Sequence, residues 1–408
     1  SVKAALLPAS TRGSRSCGAW AAVEWPPSYR VGSWGRRASK PEGIVLKVVF
    51  TRGALRYAMQ TLRGAVTARA TLPILGNLLL DCGEESIEMS ATDLEVGIRT
   101  RAYGDVETPG ILTIPARKLA EIARELPDEE TTLTVVDGAQ VLVECAGVTY
   151  RMFGTPPYDF PKIPSIGADH ITLDAPAFLR AIDSVRTAVS TDESRYALNG
   201  VYIDMSPDWV RTVATDSRRL AVAQLDAPGK VEERVSCLFP IRAAELAVRA
   251  FVDTKELHLS MTEREMVFSD GEITLSGRLI EGNYPDYEQI LPTGAPIHLV
   301  ADRAAFLTAV SRVSLFSDPS TARIQLAIDH DSMELSAHSE EYGDAREDIP
   351  VTSSDAITLA FNAGYLMDAL GSMDSEHVRV ELKDPLAASV FRPTDRDDTT
   401  HLIMPMRR

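Results

Sequence analysis

The stretch TVATDSRRLAV, residues 212–222, carries an apolar lead-in, the pair Thr215-Asp216, two arginines and an apolar exit. A near twin, SATDLEVGI, occupies residues 90–98, so Asp93 and Asp216 stand 123 residues apart. Two such carboxylates either form a dyad that shares a proton or mark a chain built by repeating one unit. The flanking residues decide between these. Leu55, Met59, Leu62 and Val66 lie at the spacing of one stripe of an amphipathic helix. Shifted by 123, the same positions hold Phe178, Ile182, Val185 and Val189, again all apolar. Under that shift Ala54, Ala58, Arg63, Ala65 and Val66 meet identical residues at Ala177, Ala181, Arg186, Ala188 and Val189. Phe306, Val310 and Val313 begin a third copy.

A second helix recurs in the same rhythm. IPARKLAEIARELP (114–127) is matched by FPIRAAELAVRAF (239–251) and by FNAGYLMDALGSM (361–373), where Asn362 replaces the proline. A proline at a helix start costs nothing, because the first N–H groups have no intrahelical acceptor. Alternating runs such as GVYIDM and RIQLAI lie between the helices and predict strands. Each unit is therefore two helices on a β-sheet, about 120 residues long, and three units fill 46–408. The fold class is α+β, with expected domains at 46–165, 166–293 and 294–408. Asp93 and Asp216 are then equivalent positions at strand ends, where a carboxylate caps a turn. A hydrolase built on Asp93 and Asp216 stays as an alternative, although the order is Thr-Asp and not the Asp-Thr-Gly of aspartic proteases.

Residues 1–45 differ from the rest. They hold Trp20, Trp25 and Trp34, seven basic residues and two acidic ones, with no helical or alternating period. The expectation is a disordered tail or a translated upstream segment. The whole chain has a net charge of −16, and without this segment the charge becomes −21. Such an acidic body argues against a simple basic DNA-coating protein. No apolar run is long enough to span a membrane. Cys17, Cys82, Cys145 and Cys237 form no CxxC and no Cys/His cluster, which points to a reduced, cytoplasmic chain with no metal. Nucleotide-binding glycine loops, zinc-protease helices and nucleophile elbows are missing, so no cofactor is expected.

The positive charge is nevertheless organised. Arg52, Arg56 and Arg63 fall in one sector of the first helix, and Arg117 and Arg124 share a face of the second. Arg180, Arg186, Arg242 and Arg249 repeat the arrangement. Basic helix faces within an acidic chain suggest one surface that tolerates a polyanion while the exterior repels it.

Several long stretches resemble, in order, the bacterial DNA polymerase III beta subunit, the sliding clamp. They are TLPILGNLLL (71–80), IPARK (114–118), RYALNG (195–200), TVATDSRRLAV, YPDYEQILP (284–292) and MPMRR (404–408). The resemblance runs from Leu46, where that family has its initiator methionine, to Arg408. It implies three clamp domains per chain, closing head-to-tail as a homodimeric ring around duplex DNA. Twelve helices spaced by ~10 Å would leave an opening of ~30 Å. It also implies a non-catalytic processivity factor that tethers the polymerase catalytic subunit, the clamp loader and other proteins bearing a clamp-binding motif. A monomeric scaffold without a ring is the second alternative.

Carried over by this resemblance, the partner-peptide pocket comprises Leu198, Thr215, Ser217, Arg219, Leu220, Pro285, Ile290, Asn362, Tyr365, Leu386, Met404, Pro405, Met406 and Arg407. DNA contacts fall on Arg69, Arg117, Arg195 and Tyr196. The contact between chains falls on Tyr150 and Met152 opposite Leu315 and Phe316. This chain has Ser217-Arg218 where the family often has Gly-His, and Gln289 where it has an arginine.

Overall fold

The computed structural model describes residues 44–66, 72–136, 139–291 and 294–407. The expected tail therefore lies almost wholly outside the described residues, and so does Arg69. The described residues contain six α-helices: α1 Ala54–Leu62, α2 Ala116–Glu125, α3 Ala175–Arg186, α4 Ile241–Ala250, α5 Arg303–Val313 and α6 Ala363–Gly371. They fall two to a unit, and each unit runs strand, helix, a strand set, helix, three strands.

The chemistry at the helix starts follows the repeat. Asp174 and Asp302 cap α3 and α5 by accepting from the N–H groups of Ala177 and Ala305 at 2.8 and 2.7 Å. Pro115 and Pro240 precede α2 and α4. Asn362 does the same work for α6 with its side chain, accepting from Tyr365 N–H at 3.3 Å. The apolar stripe runs past the first helices. Val66 and Val189 belong to it by spacing, yet α1 stops at Leu62 and α3 at Arg186. A tight turn carries both chains onward, with Ala65 and Ala188 donating to the carbonyls of Leu62 and Val185 at 3.0 and 2.9 Å.

Sheets cross the unit boundaries. A five-stranded sheet belongs to the first unit alone and ends at the edge strand Val148–Phe153. An eight-stranded sheet joins units one and two, where Val96–Ala102 pairs antiparallel with Ile273–Arg278. A twelve-stranded sheet joins units two and three, where Arg219–Asp226 pairs with Thr399–Ile403. At both junctions the strand after a Thr-Asp turn takes the last strand of the next unit. Units one and two share one continuous apolar core, whereas unit three has its own. A smaller apolar cluster of Val213, Leu220, Val222, Tyr287, Val390 and Leu402 seals the second junction.

Candidate functional site

The site begins with the Thr-Asp turns. Thr92 Oγ1 donates to the Val96 carbonyl at 2.9 Å and accepts from Leu94 N–H at 3.1 Å. Thr215 repeats this with Arg219 and Ser217, at 2.6 and 3.1 Å. Asp93 Oδ1 accepts from the N–H groups of Glu95 and Val96, and Asp216 Oδ1 from those of Arg218 and Arg219. Leu94 and Ser217 share the left-handed conformation this geometry demands, with φ of 78° and 74°. Each aspartate is thus committed to closing its own turn.

Each is also held by an arginine that ties two units together. At the first junction Arg242 of α4 donates to Asp93 and, at 2.7 Å, to the Gly64 carbonyl just past α1. At the second junction Arg219 donates to Asp216 at 3.2 Å, to Asp368 of α6 at 2.6 Å and to the Thr187 carbonyl just past α3. Its guanidinium also lies 4.3 Å from the centre of the Tyr365 ring. Thr187 and Gly64 are equivalent in the repeat.

Beside this lock is a small recess of about 10 Å³ lined by Arg219, Leu220, Tyr365, His401, Leu402 and Ile403 among others. Of the expected pocket residues, Leu198, Thr215 and Leu220 are buried, while Ser217, Pro285, Ile290, Leu386, Met404 and Arg407 are exposed. Asn362, Tyr365, Pro405 and Met406 are half-buried. The chain end is fixed by two backbone bonds, Met404 N–H to the Arg218 carbonyl at 3.0 Å and Met406 N–H to the Ala360 carbonyl at 2.7 Å. The segment Tyr284–Leu291 packs through Tyr284, Tyr287 and Leu291 on the cluster that holds Leu220 and Leu402. Buried Asp204 anchors it, accepting from Tyr287 Oη at 2.8 Å and from Arg234 at 2.6 and 3.0 Å. Burial pushes the Tyr287 hydroxyl up to about 12.

Residues 46–164, 172–286 and 288–407 match, in turn, the N-terminal, central and C-terminal domain families of the DNA polymerase III beta subunit. The chain belongs to the DNA polymerase III beta subunit family. It is 31% identical over 361 residues to the beta sliding clamp of Pseudomonas putida, covering 87% of this chain and 98% of that one. It is 28% identical over 367 residues to the beta sliding clamp of Escherichia coli K12, covering 89% and 100%. The crystal structure of the Pseudomonas aeruginosa sliding clamp bound to griselimycin superposes with a TM-score of 0.83 at 29% identity, over 89% of this chain and 100% of that one. That of Bartonella birtlesii, also bound to griselimycin, gives 0.84 at 28% identity over the same shares.

A beta subunit of this family is a non-catalytic processivity factor. The hydrolase alternative on Asp93 and Asp216 finds no support, since both carboxylates are spent in turn-capping and ion pairs. Among the described residues no helix is long and apolar enough to cross a membrane.

The basic helix faces divide into two kinds. Arg56 turns inward and donates to the carbonyls of Ala123 and Leu126 at the end of α2, and Arg242 is taken by the junction. Those two are structural, contrary to the expectation of a uniform polyanion-facing set. Arg117 is largely exposed on α2 with Glu121 at 3.3 Å. Arg195 is exposed, donating to Ser217 Oγ at 3.0 Å, and Tyr196 beside it is exposed. Tyr150 is half-buried on the edge strand, and Met152 is buried in the first unit's core. Leu315 is 76% exposed on the turn after α5, while Phe316 packs partly on the third core. Sequence reading missed Asp368 and His401. The position of Asp368 holds Glu121 in unit one and Leu246 in unit two, so an acid there gave no signal. His401 had none.

Proposed function

We propose that two copies of this chain close head-to-tail into a ring around duplex DNA, and that the groove between units two and three docks short peptides of replication proteins. The observation that carries the ring is the junction rule. In units one and two the strand after the Thr-Asp turn pairs with the last strand of the following unit. The counterpart in unit three, the first half of Gly343–Ser353, pairs on one side only, with Ser332–Ser339. The last strand of unit one, Val148–Phe153, is likewise an edge. An open edge of each kind at the two ends of one chain is what a second copy would satisfy. Carrying over the first junction's register sets Tyr150 opposite Ala345 and Arg151 opposite Asp344. Leu315 and Phe316 flank this contact, Met152 supports it from within, and the domains divide at 46–165, 166–293 and 294–408.

Arg117, Arg195, Tyr196 and Arg69 would then meet the duplex without reading its sequence, as phosphate contacts do. The polymerase catalytic subunit and the clamp loader would insert extended peptides bearing a glutamine and one or two large apolar anchors. These would lie against Leu198, Thr215, Ser217, Leu220, Pro285, Ile290, Asn362, Tyr365, Leu386, Met404, Pro405, Met406 and Arg407. Leucine, methionine and proline make an adaptable wall for varied anchors.

The test is solution mass combined with DNA retention. A dimer is expected that stays on closed circular DNA through high salt after loading and leaves on linearisation, because topology and not affinity holds it. Equal retention on linear DNA with free ends would contradict the ring. A monomer at micromolar concentration would favour the scaffold. Leu315→Ala with Phe316→Asp should give monomers, since it buries an unpaired charge in an apolar contact. Deleting residues 404–408 should leave the dimer intact and weaken peptide binding at least tenfold, about 1.4 kcal/mol.

A further inference from the structure

Each of the two open edges carries an exposed aromatic. Phe153 ends the strand Val148–Phe153 and is 70% exposed. Tyr342, in the turn that leads into Gly343–Ser353, is 61% exposed. Among the described residues the first strand, and the first half of the second, pair on one side only. Large rings left in water at two unpaired edges ask for a partner.

The two internal junctions show where residues in these positions go. At the first, Arg278 N–H donates to the Glu95 carbonyl at 2.8 Å, one step beyond the paired Gly277 and Val96. At the second, Met404 N–H donates to the Arg218 carbonyl at 3.0 Å, one step beyond Ile403 and Arg219. The same step can be taken at the seam between two copies. Three residues on from Tyr150 and three back from Ala345, it sets Phe153 opposite Tyr342. The faces agree with this. Met152 is buried, so Arg151 and Phe153 leave the strand on its other side, and Asp344, opposite Arg151, is exposed as well. Gly343 holds the place of Val96 and Arg219, so this strand brings no arginine lock to the seam. The position that holds Glu95 with Arg278, and Arg218 with Met404, would here hold two aromatic rings.

We propose that Phe153 of one copy packs on Tyr342 of the next, and that this aromatic clasp, present twice per ring, sets how tightly the ring stays closed. The proposal rests on the ring reading. Aromatic pairs stabilise a contact beyond the area they bury, and a closed two-fold ring loses both clasps with any one substitution. The test uses the full chain and its dimer dissociation constant, read by sedimentation of fluorescently labelled protein. Phe153→Ala and Tyr342→Ala should each weaken the dimer about tenfold or more. The double variant should cost little more than either alone, because one contact is lost in all three. A second set of variants tests the juxtaposition directly. A chain with Phe153→Lys and Tyr342→Lys, and another with Phe153→Glu and Tyr342→Glu, should each be monomeric alone, since like charges would face each other across the strands. Mixed in equal amounts, they should form a heterodimer with opposite charges at both seams. Three outcomes overturn the clasp while leaving the ring in place: alanine variants as tight as the wild type, additive losses in the double variant, or charged chains that behave alike alone and mixed. A wild type that is monomeric at micromolar concentration would instead remove the ring reading, and the clasp with it.

Discussion

The two junctions within the chain solve one problem with opposite components. At the first, the arginine comes from the following unit: Arg242 on α4 reaches back to Asp93 and to the Gly64 carbonyl. At the second, it comes from the preceding unit: Arg219, on the strand after the turn, reaches forward to Asp368 on α6 and also holds the Thr187 carbonyl. The equivalent of Arg219 in unit one is Val96, and the equivalent of Arg242 in unit three is Gly364. A guanidinium in that place is needed twice, because each junction brings a turn carboxylate and a helix-end carbonyl together. Which strand or helix supplies it is free to change. At the first junction Leu246 packs against Gly64, whereas at the second Asp368 stands in the place of Leu246 and pairs with Arg219 at 2.6 Å.

The contrast can be broken most strongly at Arg219. Its side chain is 13% exposed, against 42% for Arg242. Arg219→Met leaves Asp216, Asp368 and the Thr187 carbonyl without their partner. It should lower stability by about 3 kcal/mol or more, and it should abolish peptide binding. Arg242→Met should cost only about 1 kcal/mol, since solvent already screens that pair. Denaturant midpoints of the two variants check this, and equal losses would mean that the junctions are not different in kind.

His401 comes next. It lies buried in the floor of the second junction, 3.0 Å from Ser372 Oγ, and burial, then the charge of Arg219, holds it down to about 4 from an ordinary 6.5. The unfolded chain takes up this proton more readily than the folded one. The stabilisation is therefore complete above pH about 6.5 and is lost progressively as pH falls towards about 4, up to about 3 kcal/mol. Unfolding midpoints should fall across that window in the wild type, and the fall should be shallower in His401→Gln. Parallel curves would separate His401 from the acid response.

The first junction is sharpened by filling it. A Cβ on Gly64 would lie 1.8 Å from Leu246 Cδ2 and 2.9 Å from its Cγ. Gly64→Ala should cost about 2 kcal/mol through overpacking, and Leu246→Ala in the same chain should recover part of that loss. Additive losses in the double-mutant cycle would show that the two residues do not meet. The smallest effect belongs to the turns. Leu94 is exposed at φ 78°, so Leu94→Gly should raise stability by about 1 kcal/mol, read as a higher melting temperature. Ser217→Gly should gain less, because it also loses the Arg195 hydrogen bond.

The repeat was legible in the sequence because it is written in local terms. Stripes at helical spacing, a proline before the second helix and the Thr-Asp turn each act over a few residues. The stripes recur in all three units, and the proline and the Thr-Asp turn carry over from unit one to unit two with closely similar geometry, down to the shared left-handed φ of Leu94 and Ser217. Three α+β units and the turn-capping role of Asp93 and Asp216 therefore followed from residue patterns alone. The overshoot of Val66 and Val189 beyond their helices marks the limit of that reading, since apolar spacing continues through a turn that no longer has helical hydrogen bonds.

What only the tertiary structure decided is which charges are spent and which are free. Arg56 and Arg242 look in sequence like members of an exposed basic face, yet they cap carbonyls from helices distant in the chain. Arg218 and Arg219 are neighbours of the same type, and Arg219 is a lock while the Arg218 guanidinium has no partner among the described residues. The partners Asp368 and Thr187 lie 149 and 32 residues from Arg219. The pairing of sheets across units is likewise set by register between strands more than a hundred residues apart. An arginine's fate depends on the acceptors that folding brings within 3 Å, and helical periodicity says nothing about acceptors on another element.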